Sequence, residues 1–254
     1  MATCVGPCYS SRPMVMRKAT AKETSSGTPW LAQRRAVLDA AQAMHAEGLV
    51  VETSGNVSAR VTDGTRDLIA ITASGTRYDT MTDDDVVVVD HEGESVIGDA
   101  LPSTELLTHA AIYRARPGVG AVMHTHSTYA SALAVAGIAI PSLIDEMIIV
   151  LGDSVRVADY AFPSTAELGE SAVAALGERN SVLLKNHGFV GVGRSVGDAL
   201  KACRLGEQLA KIFVLARLMG NADKLPASAI EVEVELFRMR QSVNGDGAGA
   251  GAVE

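Results

Sequence analysis

The sequence predicts an α/β fold in which helices cover a mixed β-sheet. Segments with apolar residues at helical spacing alternate along the chain with short β-branched runs. Several of these runs follow one another directly and are joined by tight turns, which indicates hairpins within the sheet. At 254 residues, of which 47% are hydrophobic, the chain is also long enough to bury a large core.

Three helices are predicted where apolar residues recur at helical spacing between suitable capping residues. Serine at the start of a helix and glycine just after its end are favoured caps. The first helix is predicted within residues 30–49 and ends at Gly48. The second, within 103–116, begins at Ser103 and ends before Pro117. The third, within 195–220, begins with a Ser195/Asp198 capping box and ends at Gly220.

Strands are predicted where apolar, β-branched runs lie between turn residues. The segment 230–240 (IEVEVELFRMR) fits either a strand or a helix by its periodicity. The predicted strands are 56–61 and 68–73, joined by a turn at Asp63-Gly64; 86–89; 120–126; and two runs within 181–193 that break at Asn186-His187-Gly188.

The two ends of the chain differ in composition from the middle. Residues 1–30 are rich in Ser, Thr, Gly and Pro, and residues 243–254 are rich in Gly and Ala. Such segments bury too little apolar surface to offset the entropy of ordering, so we expect a disordered leader and a flexible tail. Between them, residues 31–242 contain no linker or repeat and are predicted to form a single domain.

Charge and cysteine content exclude several classes of function. The net charge of −8 argues against a nucleic-acid partner, which would require a basic stripe. The sequence contains no run of eighteen apolar residues, which a membrane-spanning helix would need. The basic leader is also not followed by the apolar segment that a signal peptide has. Three cysteines, Cys4, Cys8 and Cys203, do not form a disulfide framework, so we expect a cytoplasmic protein without a membrane partner.

The stretch AVMHTHST at 121–128 holds two of the six histidines. Because successive side chains of a strand point to opposite faces, His124 and His126 share a face and can approach one metal ion. A catalytic zinc takes three protein ligands, and His187, beside a glycine at a strand break, is the best third candidate. Strand histidines bonded to backbone remain an alternative. The other histidines, His45 and His109 in predicted helices and His91 beside a turn, are weaker candidates for a functional role.

Two further features have both a structural and a functional interpretation. Glu105 stands near the start of a predicted helix, where it either caps free amides or serves a metal as ligand and as general acid/base. The turns at 53–58 (TSGNVS) and 72–76 (TASGT) present backbone N–H groups and hydroxyls. These donors suit a phosphate, but they are equally normal in tight connections.

Taken in order, the motifs TSGNVS, ITASGT, LPSTE, HTH and NHG resemble the class II aldolase/adducin head-domain family, and particularly its L-fuculose-1-phosphate aldolase-like enzymes. The resemblance spans residues 31 to about 220. It implies a three-layer α-β-α fold with a mixed, mainly antiparallel central sheet. It also implies a four-fold symmetric homotetramer with active sites at the subunit boundaries.

The resemblance also assigns roles to individual residues. It implies one divalent metal per subunit, Zn²⁺ or else Mn²⁺ or Co²⁺, held by His124, His126 and His187. Glu105 would ligate the resting metal and move aside as an acid/base when substrate binds. The residues that match the sugar-phosphate site of the family are Thr53, Gly55, Asn56, Ser74, Gly75, Ser103 and Thr104.

The implied reaction is the cleavage of a small ketose phosphate, such as L-fuculose 1-phosphate, to dihydroxyacetone phosphate and an aldehyde. The metal, as a Lewis acid, would stabilise the enediolate, so no lysine Schiff base is required. The best-known bacterial fuculose phosphate enzymes of the family have a tyrosine in the segment after the HTH strand, where this chain offers Asp145 and Glu146. Glu146 resembles the rhamnulose phosphate aldolase arrangement and is predicted to act as a second acid/base across a subunit boundary, unless it is simply a solvated or interface acid.

Other members of the family use the same metal platform differently. An epimerase, a dehydratase or a decarboxylase remain alternatives, although the L-ribulose-5-phosphate 4-epimerases typically carry aspartate where this chain has Glu105. A non-catalytic binding module, as in the adducin branch, is the remaining alternative. Such a module has no chemical need for three histidines and a glutamate, and this chain retains all four.

Overall fold

The structure is a computed structural model that describes residues 29–243 of the 254-residue chain. Residues 1–28 of the predicted leader, residues 244–254 of the predicted tail, and Cys4 and Cys8 lie outside the described residues. Within the described part, none of the helices combines the length and the apolarity needed to cross a membrane.

The described residues contain one eight-stranded sheet. Its strands are Asn56–Thr62 (β1), Asp67–Thr72 (β2), Val86–Val89 (β3), Ser95–Ile97 (β4), Ala121–Thr125 (β5), Arg156–Ala158 (β6), Ser181–Leu184 (β7) and Gly188–Gly193 (β8). In space the order is β4-β3-β2-β1-β5-β8-β7-β6. Neighbouring strands are antiparallel except β6 and β7, which are parallel, so the mixed and mainly antiparallel sheet is confirmed.

Helices cover both faces of this sheet. They are Leu31–Ala46 (α1), Leu106–Ala115 (α2), Thr128–Ala136 (α3), Asp145–Leu151 (α4), Ala166–Leu176 (α5), Val196–Leu218 (α6) and Ala227–Val243 (α7). On one face, α1, α3 and α6 share a buried apolar cluster with the sheet, and on the other face α2 and α5 share a second cluster. The short helix α4 packs against α6 and α7. The three-layer α-β-α arrangement is therefore confirmed.

Most of the predicted elements are present, and the differences have physical reasons. Helix α2 begins at Leu106, because residues 103–105 form a turn in which the Leu106 amide donates to the Ser103 carbonyl at 3.1 Å. The segment 230–240 is helical and lies within α7. Helices α3, α4 and α5 and strands β4 and β6 are not predicted from the sequence. Helix α3 (TYASALAVA) is apolar nearly all round, and β4 and β6 are only three residues long.

The central strand β5 directs its side chains alternately into the two layers. Met123 belongs to the apolar cluster on the α6 face, and Val122 to the cluster on the α2 face. His124 is two residues after Val122 and therefore lies on the same face of the sheet, the α2 face. Thr125 lies on the opposite face, toward α6. This alternation decides which layer receives the imidazole of His124.

Helix α6 packs on β8 at a distance that only glycine permits. A Cβ atom at Gly191 would lie 2.8 Å from the Cys203 sulfur, and one at Gly206 would collide with the ring of Phe189. Because protein interiors are close-packed, neither contact can be absorbed without moving the helix or the strand. The spacing between α6 and the strand that follows His187 therefore depends on these glycines.

Replacing Gly206 with alanine should lower the free energy of unfolding by about 1–3 kcal/mol, since the added methyl group overpacks the contact with Phe189. Gly197 in the same helix is the matched control, because its added Cβ would meet nothing closer than the Ser195 hydroxyl at 3.7 Å. Gly197→Ala should raise stability by about 0.5–1 kcal/mol through helix propensity. Urea unfolding measures both. Equal effects in the two variants would contradict the close contact.

Candidate metal centre and adjoining cleft

Three histidines meet at one end of the sheet. His124 is in β5, His126 follows the end of that strand, and His187 lies in the turn between β7 and β8. The pairing of β5 with β8, with Thr125 opposite Phe189, brings the two segments together. One ring nitrogen from each histidine lies within 4.8 Å of the others, which is a spacing that a single metal ion can bridge. The structure therefore brings together the three predicted metal ligands.

Glu105 completes this cluster. Its Oε1 lies 3.0 Å from Nε2 of His187, and its Oε2 lies 3.3 Å from Nε2 of His124. Nε2 of His124 also lies 2.7 Å from Nε2 of His126. Three imidazole nitrogens and a carboxylate thus point at the same small volume.

The donor set of this cluster fits a divalent cation. Nδ1 of His124 lies 3.0 Å from the carbonyl of Phe189 and donates to it, which leaves Nε2 without a proton and free to act as a ligand. The buried Oε2 of Glu105 has no hydrogen-bond partner among the described residues. A buried acceptor that faces other acceptors is costly, and a cation would offset that cost.

Burial sets the protonation state of the cluster. It lowers the pKa of His124 to about 4 and also lowers the pKa of His126, so both imidazoles are neutral near pH 7. Burial alone would raise the pKa of Glu105, but the neighbouring His124 and His187 outweigh it and lower that pKa to about 2. Neutral imidazoles beside an ionised carboxylate are the forms that bind a metal.

Gly188 makes room for the two histidines of the HTH motif. A Cβ atom at this position would lie 3.0 Å from Cε1 of His124 and 3.0 Å from Cδ2 of His126, and it would also collide with the carbonyl of Thr125. The preceding Asn186 adopts a left-handed conformation, with φ of 56°, that turns the chain toward the cluster. The NHG sequence therefore supplies the ligand, the turn and the space.

A cleft of about 140 Å³ adjoins the histidine cluster. Glu105 and His126 line it, so the cleft and the cluster share a wall. All seven residues that the resemblance assigned to phosphate binding line the cleft as well: Thr53, Gly55, Asn56, Ser74, Gly75, Ser103 and Thr104. These seven residues come from three separate parts of the chain, and their role toward a phosphate remains a prediction.

The position of the cleft follows from the pairing of β1 with β5. Asn56 lies opposite His124 in this antiparallel pair, which brings the TSGN turn to the histidine cluster. Gly55 has φ of 75°, and a Cβ atom there would lie 2.6 Å from the carbonyl of His124. Only glycine suits both the backbone conformation and the close approach.

Asn56 is linked to a chain of hydrogen bonds between buried side chains. Its Oδ1 lies 2.5 Å from Nε2 of His109, whose Nδ1 lies 2.6 Å from the Ser58 hydroxyl. The Tyr113 hydroxyl continues the chain, 2.8 Å from Ser58. With Oδ1 turned toward His109, the amide nitrogen of Asn56 is left for the cleft.

No sequence pattern assigns His109 a function, so its part in this chain of hydrogen bonds is not predicted from the sequence. His109 and Tyr113 are four residues apart on α2, and Asn56 and Ser58 are two apart on β1, so each pair shares a face. These two spacings are the sequence features that could indicate hydrogen bonds between the two pairs. They become informative only once α2 is known to pack on β1.

Glu146 lies elsewhere in the chain. It is exposed in the first turn of α4 and does not line the cleft. Its predicted role across a subunit boundary stays a prediction.

The fold and the site together define a three-layer α-β-α protein with a three-histidine centre, suited to a divalent cation, at one end of its sheet. The chain belongs to the Class II Aldolase and Adducin N-terminal domain family, whose profile matches residues 35–214. This match confirms the family that the motifs indicated.

Curated relatives and solved structures agree with this membership. The 5-methylthioribulose-1-phosphate/5-deoxyribulose-1-phosphate aldolase of Rhodospirillum rubrum is 35% identical over 201 residues, which cover 79% of this chain and 89% of that protein. The L-ribulose-5-phosphate 4-epimerase UlaF of Salmonella paratyphi C is 36% identical, over 72% of this chain and 85% of that protein. A solved L-fuculose 1-phosphate aldolase superimposes with a TM-score of 0.77 at 33% identity, covering 82% of this chain and 96% of the other.

Replacing His126 with alanine should lower the affinity for a divalent metal at least tenfold, because it removes one of three nitrogen ligands. Metal content after purification and dialysis, measured by mass spectrometry, is the readout. His45→Ala is the matched control, since His45 lies in α1 and outside the cluster. Equal metal content in the two variants would contradict the assignment.

Replacing His109 with glutamine should flatten the acid dependence of stability. Burial lowers the pKa of His109 to about 3, below the value of about 6.5 expected in the unfolded chain. The unfolded chain therefore binds a proton that the folded protein excludes, and stability is lost as pH falls from 6.5 toward 3. Removing this group should reduce the slope by up to about 1.4 kcal/mol per pH unit.

Urea unfolding of the metal-stripped chain at pH 6.0 and pH 4.5 measures this slope for the wild type and for His109→Gln. The other buried histidines titrate in both proteins, so the difference isolates His109. Parallel stability curves for the two proteins would show that His109 is not held neutral.

Proposed function

We propose that this protein is a divalent-metal-dependent aldehyde-lyase that cleaves a small phosphorylated ketose to dihydroxyacetone phosphate and an aldehyde. The observation that carries the proposal is the shared wall between the histidine cluster and the cleft. Glu105 and His126 belong to both, so a ligand held in the cleft is adjacent to the metal ligands.

The cleft is suited to the phosphate of such a substrate. Hydroxyls of Thr53, Ser74, Ser103 and Thr104 and the amide nitrogen of Asn56 can donate to phosphate oxygens, and the glycines allow backbone N–H groups to approach. No lysine or arginine lines this cleft within residues 29–243. In this proposal, hydrogen-bond donors from several converging turns bind the phosphate in place of a cationic side chain.

The residues His124, His126 and His187 would hold the cation, which we take to be Zn²⁺. When bound, it supplies a Lewis acid for the negative charge that develops when the bond between C3 and C4 breaks. His124 is oriented for this task by its hydrogen bond to the Phe189 carbonyl. The orientation is fixed before any ligand arrives, which lowers the reorganisation needed during the reaction.

Glu105 is the proposed acid/base at the reacting carbon. It is largely buried, its pKa is lowered to about 2, and it is therefore ionised and able to accept a proton. Its Oε2 has no hydrogen-bond donor among the described residues, so this oxygen is available to a substrate proton. In this role the carboxylate would move a proton at the substrate carbon next to the carbonyl.

An L-ribulose-5-phosphate 4-epimerase activity is the second candidate, because relatives with that name are 36% identical to this chain. Two aldolases of 5-deoxyribulose 1-phosphate and related substrates, 35% and 31% identical, support the lyase. Glutamate at position 105, where the epimerases typically carry aspartate, favours the lyase as well.

The proposal includes a cytoplasmic homotetramer in which Glu146 of one subunit serves as the second acid/base in the next. Exposed apolar side chains at the end of α6 and along α7 support self-association; they include Leu218, Met219, Val232 and Met239. Burying them between subunits would remove apolar surface from water.

Glu105→Gln should lower kcat for the true substrate by about 10²–10⁴-fold, because the variant retains the shape but cannot accept a proton. Release of dihydroxyacetone phosphate from a panel of ketose 1-phosphates, including L-fuculose and 5-deoxyribulose derivatives, is the assay, with L-ribulose 5-phosphate added to detect epimerisation. Glu146→Gln belongs in the same series and should also reduce kcat.

Glu92→Gln is the matched control, since Glu92 is exposed in a turn away from the cleft and should retain full activity. Metal content is measured for every variant, so that a loss of turnover is not mistaken for a loss of metal. A metal-loaded wild type that binds none of the panel and turns over none would overturn the lyase in favour of a binding module. Turnover of L-ribulose 5-phosphate alone would favour the epimerase.

A further inference from the structure

A second cavity, of about 220 Å³, lies at the end of the sheet opposite the histidine cluster. It is lined by Gly118 and Val119, which precede β5, and by Gly193 and Arg194 at the end of β8. The histidines stand at the other ends of these two strands. The cavity is therefore separate from the proposed substrate cleft, and no residue lines both.

Four cationic side chains line this cavity: Arg116, Arg194, Lys201 and Arg240. We call it the basic cavity. Asp198 is the single carboxylate among its lining residues within 29–243, and its Oδ2 already accepts from the backbone amide of Ser195 at 3.1 Å and from the Ser195 hydroxyl at 2.8 Å. That carboxylate belongs to the capping box of α6, which leaves the cavity with a net positive charge.

In the part of the chain that the structure describes, none of these four cations forms an ion pair with a carboxylate. Arginines elsewhere are paired, as Arg60 is with Asp67 and Arg179 with Asp153. The chain as a whole carries a net charge of −8, so acidic partners are not scarce. A cluster of unpaired cations around one cavity therefore needs an explanation.

Arg116 provides the second observation. It is partly buried, and its guanidinium donates only to neutral acceptors, namely the carbonyl of Arg179 and Oδ1 of Asn180, the latter at 3.5 Å. Burial lowers the pKa of Arg116, and Glu178 offsets this only in part. Removing a guanidinium from water without an anionic partner is costly, and an anion in the cavity would compensate that cost.

The walls of the basic cavity come from firmly packed parts of the fold. Ile149 and Val150 of α4 and Phe237 of α7 form its apolar side, and Phe237 is 5% exposed. Gln241 donates to Oδ1 of Asn180 at 3.0 Å and ties α7 to the start of β7. A site held by two helices and two strand ends is organised before a ligand binds, which lowers the entropy cost of binding.

We propose that the basic cavity binds a small phosphate-bearing anion at a site separate from the proposed catalytic cleft. A phosphate group carries about 1.5 to 2 negative charges near pH 7 and matches guanidinium groups in pairs of hydrogen bonds. The volume admits a phosphate with a few further atoms, and the apolar wall of α4 and α7 faces those atoms. This site does not depend on the proposed lyase activity.

The test follows the methyl signals of Ile149 by NMR while inorganic phosphate is added to the full-length, metal-loaded protein. Ile149 lines the basic cavity and does not line the cleft of its own subunit, so a shift that is lost when Arg194 and Lys201 are replaced reports this site. We expect a saturable shift that sodium chloride at matched ionic strength does not reproduce. Repeating the titration with glycerol 3-phosphate shows whether a phosphate ester binds more tightly than the free ion.

The double variant R194A/K201A should raise the Kd for phosphate at Ile149 at least tenfold. Both side chains are exposed, so the substitutions should leave the fold intact. Arg217→Ala is the matched control, because it removes an exposed cation of α6 that does not line the cavity and should leave the Kd unchanged. Signals that do not move in the wild type, or that move equally in the double variant, would overturn the proposal.

Discussion

The antiparallel register of β5 with its neighbours β1 and β8 is the constraint on which the site depends. It sets Asn56 opposite His124 on one side and Phe189 opposite Thr125 on the other. Since side chains alternate between faces, a shift of one residue would turn His124 into the α6 layer and away from Glu105. The buried apolar residues of β5 hold this register, because the same shift would displace Met123 and Val122 from their two separate clusters.

The sequence predicted those parts of the fold that depend on local chemistry. The capping box at Ser195, the β-branched run at 86–89 and the shared face of His124 and His126 follow from spacing and side-chain type. Helix α3 could not be predicted because its composition is apolar nearly all round. Without a polar face, the sequence shows no helical periodicity. The hydrogen bonds from Asn56 through His109 could not be predicted, because they join α2 to β1. Two elements that pack together leave no common pattern in the sequence.

The two ends of the sheet differ in the kind of charge that they expose. Within residues 29–243, imidazole nitrogens and a carboxylate gather at one end beside a cleft that no lysine or arginine lines. At the other end, guanidinium and ammonium groups line the basic cavity, where Asp198 is the single carboxylate among the lining residues. Neither arrangement could be predicted from net charge, because each is assembled from several segments. Proximity in the fold, rather than composition, gives each end its chemical character.

Glu105 and His126 stand in the wall between the histidine cluster and the cleft, and this has a thermodynamic consequence. In the proposed lyase, a cation bound by the histidines would act on Glu105, which also lines the cleft. By linkage, whatever factor the cation adds to ligand affinity, the ligand must add to cation affinity. In the proposed lyase, binding of the metal and binding of the substrate would therefore be one coupled equilibrium.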